Sequence, residues 1–443
     1  MAWAGRGEDY DPCVAMTRTG ALGARTWTSL VLLGFVGQLA WTVENMYLNV
    51  FVYDTITDDP NVIATMVAVS AVAATLATLL VGALSDRVGR RRVFIAAGYV
   101  LWGVTTAAFG FLSPEAVSGL VPAASAVVVA AVAVVALDAV MSLFGSGAND
   151  AAFQAWVTDS TEPANRGRVE SVLAVMPLLS MLVVFGAFDG MTRAGQWREF
   201  FVLVGAIIVV VGIVSWFLVR DRELTVRQED GYLRSVVHGL RPSAVRENPG
   251  LYLALSAWMI WGISTQVFLP YLIIYLQRYL RIDGYAIVLA VVLLGASVVS
   301  VIGGRIVDRV GKVRFLLPAV AVYGTGLVLM AFARGMVPAI LAGLVMMSGF
   351  MLVLTPVGAL VRDYSPPDRA GHVQGLRMVF AILVPMLVGP VIGAAVIRGA
   401  AETYEELGVV KQVPSPLIFV AAAVVLLLIL VPVTLLRRKE PAA

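Results

Sequence analysis

Carboxylates stand in this chain where apolar residues are the rule. Glu44 lies in GQLAWTVENMYLNVF (Gly37–Phe51), and Asp138 and Asp150 lie in LDAVMSLFGSGANDAAFQAW (Leu137–Trp156). A carboxyl group removed from water keeps its proton more readily, so it can load and release one near neutral pH. Inside a membrane helix such a group is a functional candidate by default. Glu44 and Asp150 are therefore the proton-coupling candidates. Hydrogen bonding to a solute, or a fixed ion pair, are the other uses open to them. Asp138 is expected near the outer mouth, as a wetted helix end.

The neighbours of these residues are polar in a helical pattern. At about 100° per residue, Gln38, Trp41, Asn45 and Asn49 share one stripe, with Glu44 on its edge. An aromatic ring beside amides suits a sugar or another polar solute, by stacking and hydrogen bonding. A polar stripe can also serve only to hold two helices together. Asp138, Ser142, Gly145 and Asn149 share a second face, and Asp150 and Gln154 lie roughly 100° round it. Later in the chain, Trp261, Ser264, Thr265 and Gln266 mirror the first stripe without a carboxylate, and Pro270 follows as a kink signal. Arg377 sits about one turn inside another apolar run. It could meet a substrate anion or Asp150, or snorkel to the interface.

The elements that position these residues follow from composition. The chain has 443 residues, 59% hydrophobic and 14% charged. A soluble domain carries roughly 25% charged residues, so the apolar excess calls for a membrane interior as solvent. Apolar runs long enough to cross it fall near 27–53, 61–84, 93–112, 133–157, 169–190 and 197–219, then near 250–275, 285–304, 315–333, 337–360, 374–397 and 416–436. In lipid the backbone must satisfy itself within each segment, so these runs are read as helices. The predicted fold is an all-α integral membrane protein of 12 spans. Its organisation reads as a tail over 1–26, a six-helix bundle over 27–219, a linker over 220–249, a second six-helix bundle over 250–436, and a tail over 437–443.

Lys and Arg stay in cytoplasmic loops. Of the 32 basic residues, only Arg193, Arg198, Arg278, Arg281, Arg334, Arg398 and Lys411 fall on the side opposite the termini. Both termini are therefore expected in the cytoplasm. The net charge of +3 is too small to argue nucleic-acid binding. One cysteine, Cys13, cannot form an intrachain disulfide, and two histidines in polar loops build no metal cluster. None of the three lysines is followed by Ser or Thr, so no phosphate-binding loop of that type is present. No cofactor or metal is expected. An enzyme is disfavoured, since no His or Lys falls within a span.

The chain repeats itself. GALSDRVGRRRVF (Gly82–Phe94) returns as GRIVDRVGKVRF (Gly304–Phe315), aligning Asp86 with Asp308, Gly89 with Gly311 and Arg90 with Lys312. VTDSTEPANRG (Val157–Gly167) returns as VRDYSPPDRAG (Val361–Gly371), and Gly145 then falls on Gly349. Each half thus holds six spans, with Ser113–Ala130 as an insert in the first. Paired halves of this kind place a substrate site at their interface and rock around it.

GALSDRVGRRR between spans 2 and 3, its partner between spans 8 and 9, and the six-plus-six layout resemble the major facilitator superfamily. The resemblance implies that Gly82, Asp86, Arg87, Gly89 and Arg90, with Asp308, Arg309, Gly311 and Lys312, form a cytoplasmic gate. Asp159, Arg166, Asp363 and Arg369 would be their partners. A narrower likeness is to the glycoside–pentoside–hexuronide cation symporters, carried by DAAFQAWVTDST and GRRRVFIAAGY. It implies that Asp150 matches a cation-site Asp on span 4. Those symporters also carry two Asp residues on span 2, where this chain has Ala74 and Thr78, so a sodium cage of that design is not expected.

Together these readings predict a secondary active transporter of the cell membrane, monomeric, in contact with lipid. It would move a small polar solute, sugar-like in the leading version, by alternating access and proton-coupled symport, with another cation as a variant. Proton-driven efflux of drugs or metabolites is the alternative. The cavity candidates are Gln38, Trp41, Asn45, Asn49, Asn149, Gln154, Trp261, Thr265, Gln266 and Arg377.

Overall fold

The computed structural model describes residues 22–119, 122–161, 163–221, 242–365, 370–406 and 409–439. Helices dominate because nearly every long segment is apolar and must close its own hydrogen bonds in lipid. Spans 1 to 6 are Ala24–Thr55, Pro60–Ser85, Arg91–Phe111, Ser125–Ser160, Arg168–Arg193 and Trp197–Leu218. Spans 7 to 12 are Pro249–Tyr279, Tyr285–Gly303, Lys312–Phe332, Met336–Asp363, Gly375–Ala400 and Leu417–Arg438. We call the face holding Ala24 and Arg438 the near side, and the opposite face the far side.

The twelve spans form two six-helix bundles with matching internal contacts. Span 1 packs on span 5 as span 7 packs on span 11, and span 2 on span 4 as span 8 on span 10. The bundles meet through span 2 against span 11 and span 5 against span 8. Small residues set the close approaches, as lipid-embedded helices require. A methyl group added at Gly103 of span 3 would lie 2.5 Å from the Gly205 carbonyl oxygen of span 6. Gly145 of span 4 packs against the Trp102 ring, and its repeat partner Gly349 of span 10 against the Tyr323 backbone.

The two charged turns are also built alike. Gly89 ends the helix after span 2 with φ 68°, and Gly311 follows span 8 with φ 92°. Both are left-handed positions that favour glycine. Span 7 is interrupted by a tight turn at Leu269–Tyr271, where Pro270 withholds its amide from the helix ladder. Between spans 11 and 12 the far side carries a small antiparallel hairpin, β1 (Thr403–Glu406) and β2 (Val409–Gln412), which the apolar pattern did not announce.

The close packing of spans 3 and 6 gives a direct test. Gly205→Val should remove most of the monodisperse protein recovered in detergent. Phe217→Val on the exposed lipid face of the same helix should leave the yield near that of the parent. Size-exclusion profiles of the two variants decide it.

Candidate transport cleft

Among the described residues, the hydrogen bonds and ion pairs that join the two halves lie on the far side. Arg278 of span 7 pairs with Asp54 of span 1 at 2.8 Å. The backbone amide of Gln412 in β2 donates to Asp58 at 2.6 Å, and Tyr53 donates to the Gln412 carbonyl at 2.9 Å. Arg193 reaches the Asp283 carbonyl at 3.3 Å, and Tyr271 reaches the Pro60 carbonyl at 3.1 Å. The centre of this closure is Asp189 of span 5. It is buried, paired with Arg193 at 2.8 Å, and accepts from Tyr47 of span 1 at 3.1 Å and from Tyr285 of span 8. Sequence reasoning missed Asp189 as a gate residue, because its partner Tyr285 belongs to the other half.

On the near side the described ion pairs stay within one half. Arg91 pairs with Asp159 at 3.2 Å and donates to Ser85 at 2.5 Å. Lys312 pairs with Asp363. Of the expected gate residues, Asp159, Lys312 and Asp363 thus have partners inside their own bundles. Arg87 and Arg90 are exposed, Gly89 and Gly311 form the turns, and Gly82 faces Ala151 of span 4. The side chains of Asp86, Arg166, Asp308 and Arg309 lie outside the described ones, as does the whole of Arg369. Arg91, rather than its neighbours, is the buried arginine of the turn.

The candidate coupling residues sit between these two ends. Span 1 widens to π-helical turns over Val43–Leu48, carrying Glu44, and span 4 does so over Ser146–Phe153, carrying Asp150. Such turns break the regular side-chain phase and recur at functional positions. Glu44 is buried and accepts from the Ser142 hydroxyl at 2.6 Å. It lies within electrostatic range of both Asp138 and Asp150. Asp150 is partly exposed and accepts from Asn149 at 3.1 Å, with the Trp41 indole also turned to it. Asn149 in turn accepts from Tyr99 at 2.9 Å.

Asp138 corrects the sequence reading. It is not a wetted helix end: it is 1% exposed, faces Ser70 of span 2, and neighbours Glu44. The physical reason is helix length. Span 4 begins at Ser125, not near 133, which carries Asp138 well into the bundle.

The remaining cavity candidates divide into two groups. Asn45 is exposed in mid-span and Gln266 is half-buried opposite it, and both line one small cavity with Glu44, Asn49 and Asp138. Gln38 and Trp41 are half-buried, and the Trp41 ring lies 5.0 Å from Trp102. In the second half Trp261 packs 4.6 Å from Phe350, and Thr265 bonds Tyr323 at 3.0 Å. Gln154 is exposed. Arg377 is exposed and lies over the Trp258 ring at 5.1 Å, and among the described residues it makes no ion pair with Asp150.

This arrangement of twelve helices in two similar bundles around a cleft closed at one end is that of a membrane transporter. The sequence pattern of the Major Facilitator Superfamily matches residues 30–291 and again 262–443, and the chain belongs to that superfamily. No curated protein matches it in sequence. Solved structures share its fold. The xylose transporter XylE from E. coli, partially occluded and inward open, is 15% identical, with 93% of this chain and 97% of that chain covered and a TM-score of 0.64. The nucleoside transporter NupG is 12% identical, with 93% and 99% covered and a TM-score of 0.64. A bacterial homologue of the human lysosomal transporter Spinster, inward-facing and unoccupied, is 15% identical, with 96% and 100% covered and a TM-score of 0.67.

One-sided closure predicts one-sided access. In a Cys13→Ser background, Asp58→Cys with Gln412→Cys should be joined by a short bifunctional thiol reagent. In a separate Cys13→Ser chain, Asn45→Cys should react with an impermeant maleimide offered from the near side and not from the far side. Labelling from the far side alone would contradict the geometry.

Proposed function

We propose that the chain is a proton-coupled symporter of a small polar solute, working by alternating access in the cell membrane as a monomer. The observation that carries this reading is the pair of carboxylates, Glu44 and Asp150, held in π-helical turns beside a cleft between the bundles. The skewed distribution of Lys and Arg supports cytoplasmic termini, so the near side is the cytoplasm and the cleft opens inward. The likeness of Asp150 to the span-4 Asp of the glycoside–pentoside–hexuronide cation symporters supports cation coupling.

In this reading the solute lies between Trp41 and Asn45 of the first half and Trp261 and Gln266 of the second. The Trp261 indole nitrogen is buried with no hydrogen-bond partner, a donor fit for a solute hydroxyl or carbonyl. Binding draws the near ends of the bundles together, where the charged turns at Gly82–Arg90 and Asp308–Lys312 form the cytoplasmic gate with Asp159, Arg166, Asp363 and Arg369. The far-side bonds then break and the proton and solute exchange with the outside. Each of those bonds contributes about 1 kcal/mol net. Their sum is of the size that a solute and a cation with differential affinity can shift.

Efflux of an apolar solute is the second reading, favoured by one observation. Met46, Met181, Met330, Met346 and Met347 line an apolar pocket that meets the polar cavity at Leu269. Such a surface adapts to varied apolar shapes.

Uptake into proteoliposomes across a panel of sugars, nucleosides and organic cations, with and without an inward proton gradient, tests these readings. Glu44→Gln or Asp150→Asn should cut gradient-driven accumulation at least tenfold and spare counterflow exchange. Normal accumulation by both variants would refute the proton assignment, and gradient-driven extrusion of organic cations would favour efflux.

A further inference from the structure

We propose that Glu44, Asn49 and Asp138, with Asn45 and Ser70, form a binding site for a dehydrated sodium ion at the far end of the cleft. These residues of spans 1, 2 and 4 line one cavity with room for roughly one water-sized body. What sets the cavity apart is the polarity of the groups around it. Asn49 donates its amide hydrogen to the Asn45 carbonyl at 2.8 Å, and Asn45 donates to the Trp41 carbonyl at 2.8 Å. Each amide thereby leaves its oxygen to the cavity. The Ser70 hydroxyl has one hydrogen to share between Asp138, which it faces, and the Val67 carbonyl at 3.1 Å, and its oxygen keeps lone pairs for the cavity it lines. Ser142 donates to one oxygen of Glu44, and the other oxygen has no partner.

Three acceptors are left unsatisfied in one place: Oε2 of Glu44, Oδ1 of Asn49 and Oδ1 of Asp138. Their residues are 8%, 2% and 1% exposed, so bulk water does not reach them freely. Buried acceptors of this kind are rare in folded proteins. Among the described residues, no basic side chain lines the cavity. A cation meets all three acceptors at once, which one proton cannot do. Oxygen donors select a hard ion. Magnesium keeps several waters of its own and does not fit a space of this size. Two carboxylates around one monovalent ion leave a single negative charge, which a proton on the pair neutralises.

The cage differs from the one that the symporter likeness leads one to look for. Ala74 and Thr78 of span 2 give no carboxylate, and the carboxylates come instead from span 1 and from the far-side half of span 4, with Ser70 the contribution of span 2. Gln266, Leu269, Pro270 and Met386 of the second half close the cavity. Ion occupancy is therefore tied to how the bundles pack on the far side. That consequence rests on the carrier reading, but sodium binding itself does not.

The test uses the purified full-length chain in detergent. Thermal unfolding is followed while sodium chloride replaces choline chloride at constant ionic strength, with potassium chloride as a second series. Sodium should raise the melting temperature by several degrees, and potassium should not. Asp138→Asn and Asn49→Ala should weaken the apparent sodium affinity at least tenfold. Should either variant fail to fold, equilibrium binding of radioactive sodium to Ser70→Ala, which changes no charge, should still show a severalfold loss. An absent sodium effect in the parent chain, an equal effect of potassium, or unchanged affinity in the variants would overturn the site and leave the cavity to water. Proton-driven accumulation in proteoliposomes is read separately, so it can survive the loss of this site.

Discussion

The cost of a carboxylate in hydrocarbon shapes the rest of the structure. An Asp at the centre of a membrane helix costs about 2.5–3.5 kcal/mol on insertion scales, and a whole domain is stable by only about 5–15 kcal/mol. Glu44 lies within electrostatic range of both Asp138 and Asp150, so like charges there repel. Each is held by short local contacts: Ser142 on Glu44, Ser70 facing Asp138, Asn149 and Trp41 on Asp150. Those contacts lower the cost without removing it, and unsatisfied oxygens remain. A seam between two bundles is where such groups can be kept, because there a solute, an ion or water can reach them when one end opens.

The same cost explains why the closure at the far side is built from many modest bonds. The carboxylates Asp54, Asp58 and Asp189 are all engaged across the seam, by Arg278, by the Gln412 amide and by Tyr285. Asp54, Asp58 and Arg278 are partly exposed, so breaking their bonds returns them to water, while Asp189 with Tyr47 and Tyr285 is the buried part of the closure. A network buried throughout would hold the bundles in one state. Bonds that exchange with water leave an equilibrium that binding in the cleft can tip.

Most of the architecture was legible because lipid leaves the chain few options. Run length gives the spans, and the repeated charged turn gives the two bundles. Glu44 and Asp150 stood out as candidates because acidic residues are conspicuous in apolar runs. Depth was harder to read. The alanine and valine residues before 133 belong to span 4, so Asp138 lies about 20 Å along the helix from Ser125 rather than one turn from its mouth. Rotational phase was harder still. Four arginines follow in near succession at 87, 90, 91 and 92, and only the turn at Gly89 decides that Arg91 faces Asp159. The π-helical turns leave no mark in a periodicity count, yet they set where Glu44 and Asp150 point. Pairs such as Asp189 with Tyr285 join residues of separate bundles, and no local pattern relates them.

The two halves share a fold but not a chemistry. Every described carboxylate deep in the cleft comes from spans 1 and 4, while the matching stretch of span 7 offers Trp261, Thr265 and Gln266. Among the described residues, the second half adds no carboxylate to the cavity and meets it through Gln266, Leu269, Pro270 and Met386. The turn at Leu269–Tyr271 lies at that contact. Pro270 breaks the ladder of span 7 beside the cavity, and Tyr271 bonds both the Pro60 carbonyl of span 2 and the Pro390 carbonyl of span 11. Glu44 and Asp138 thus line the same cavity as the point where span 7 is broken and where Tyr271 helps tie the bundles. The carboxylates and the break in span 7 share one wall, so a change at one adjoins the other directly.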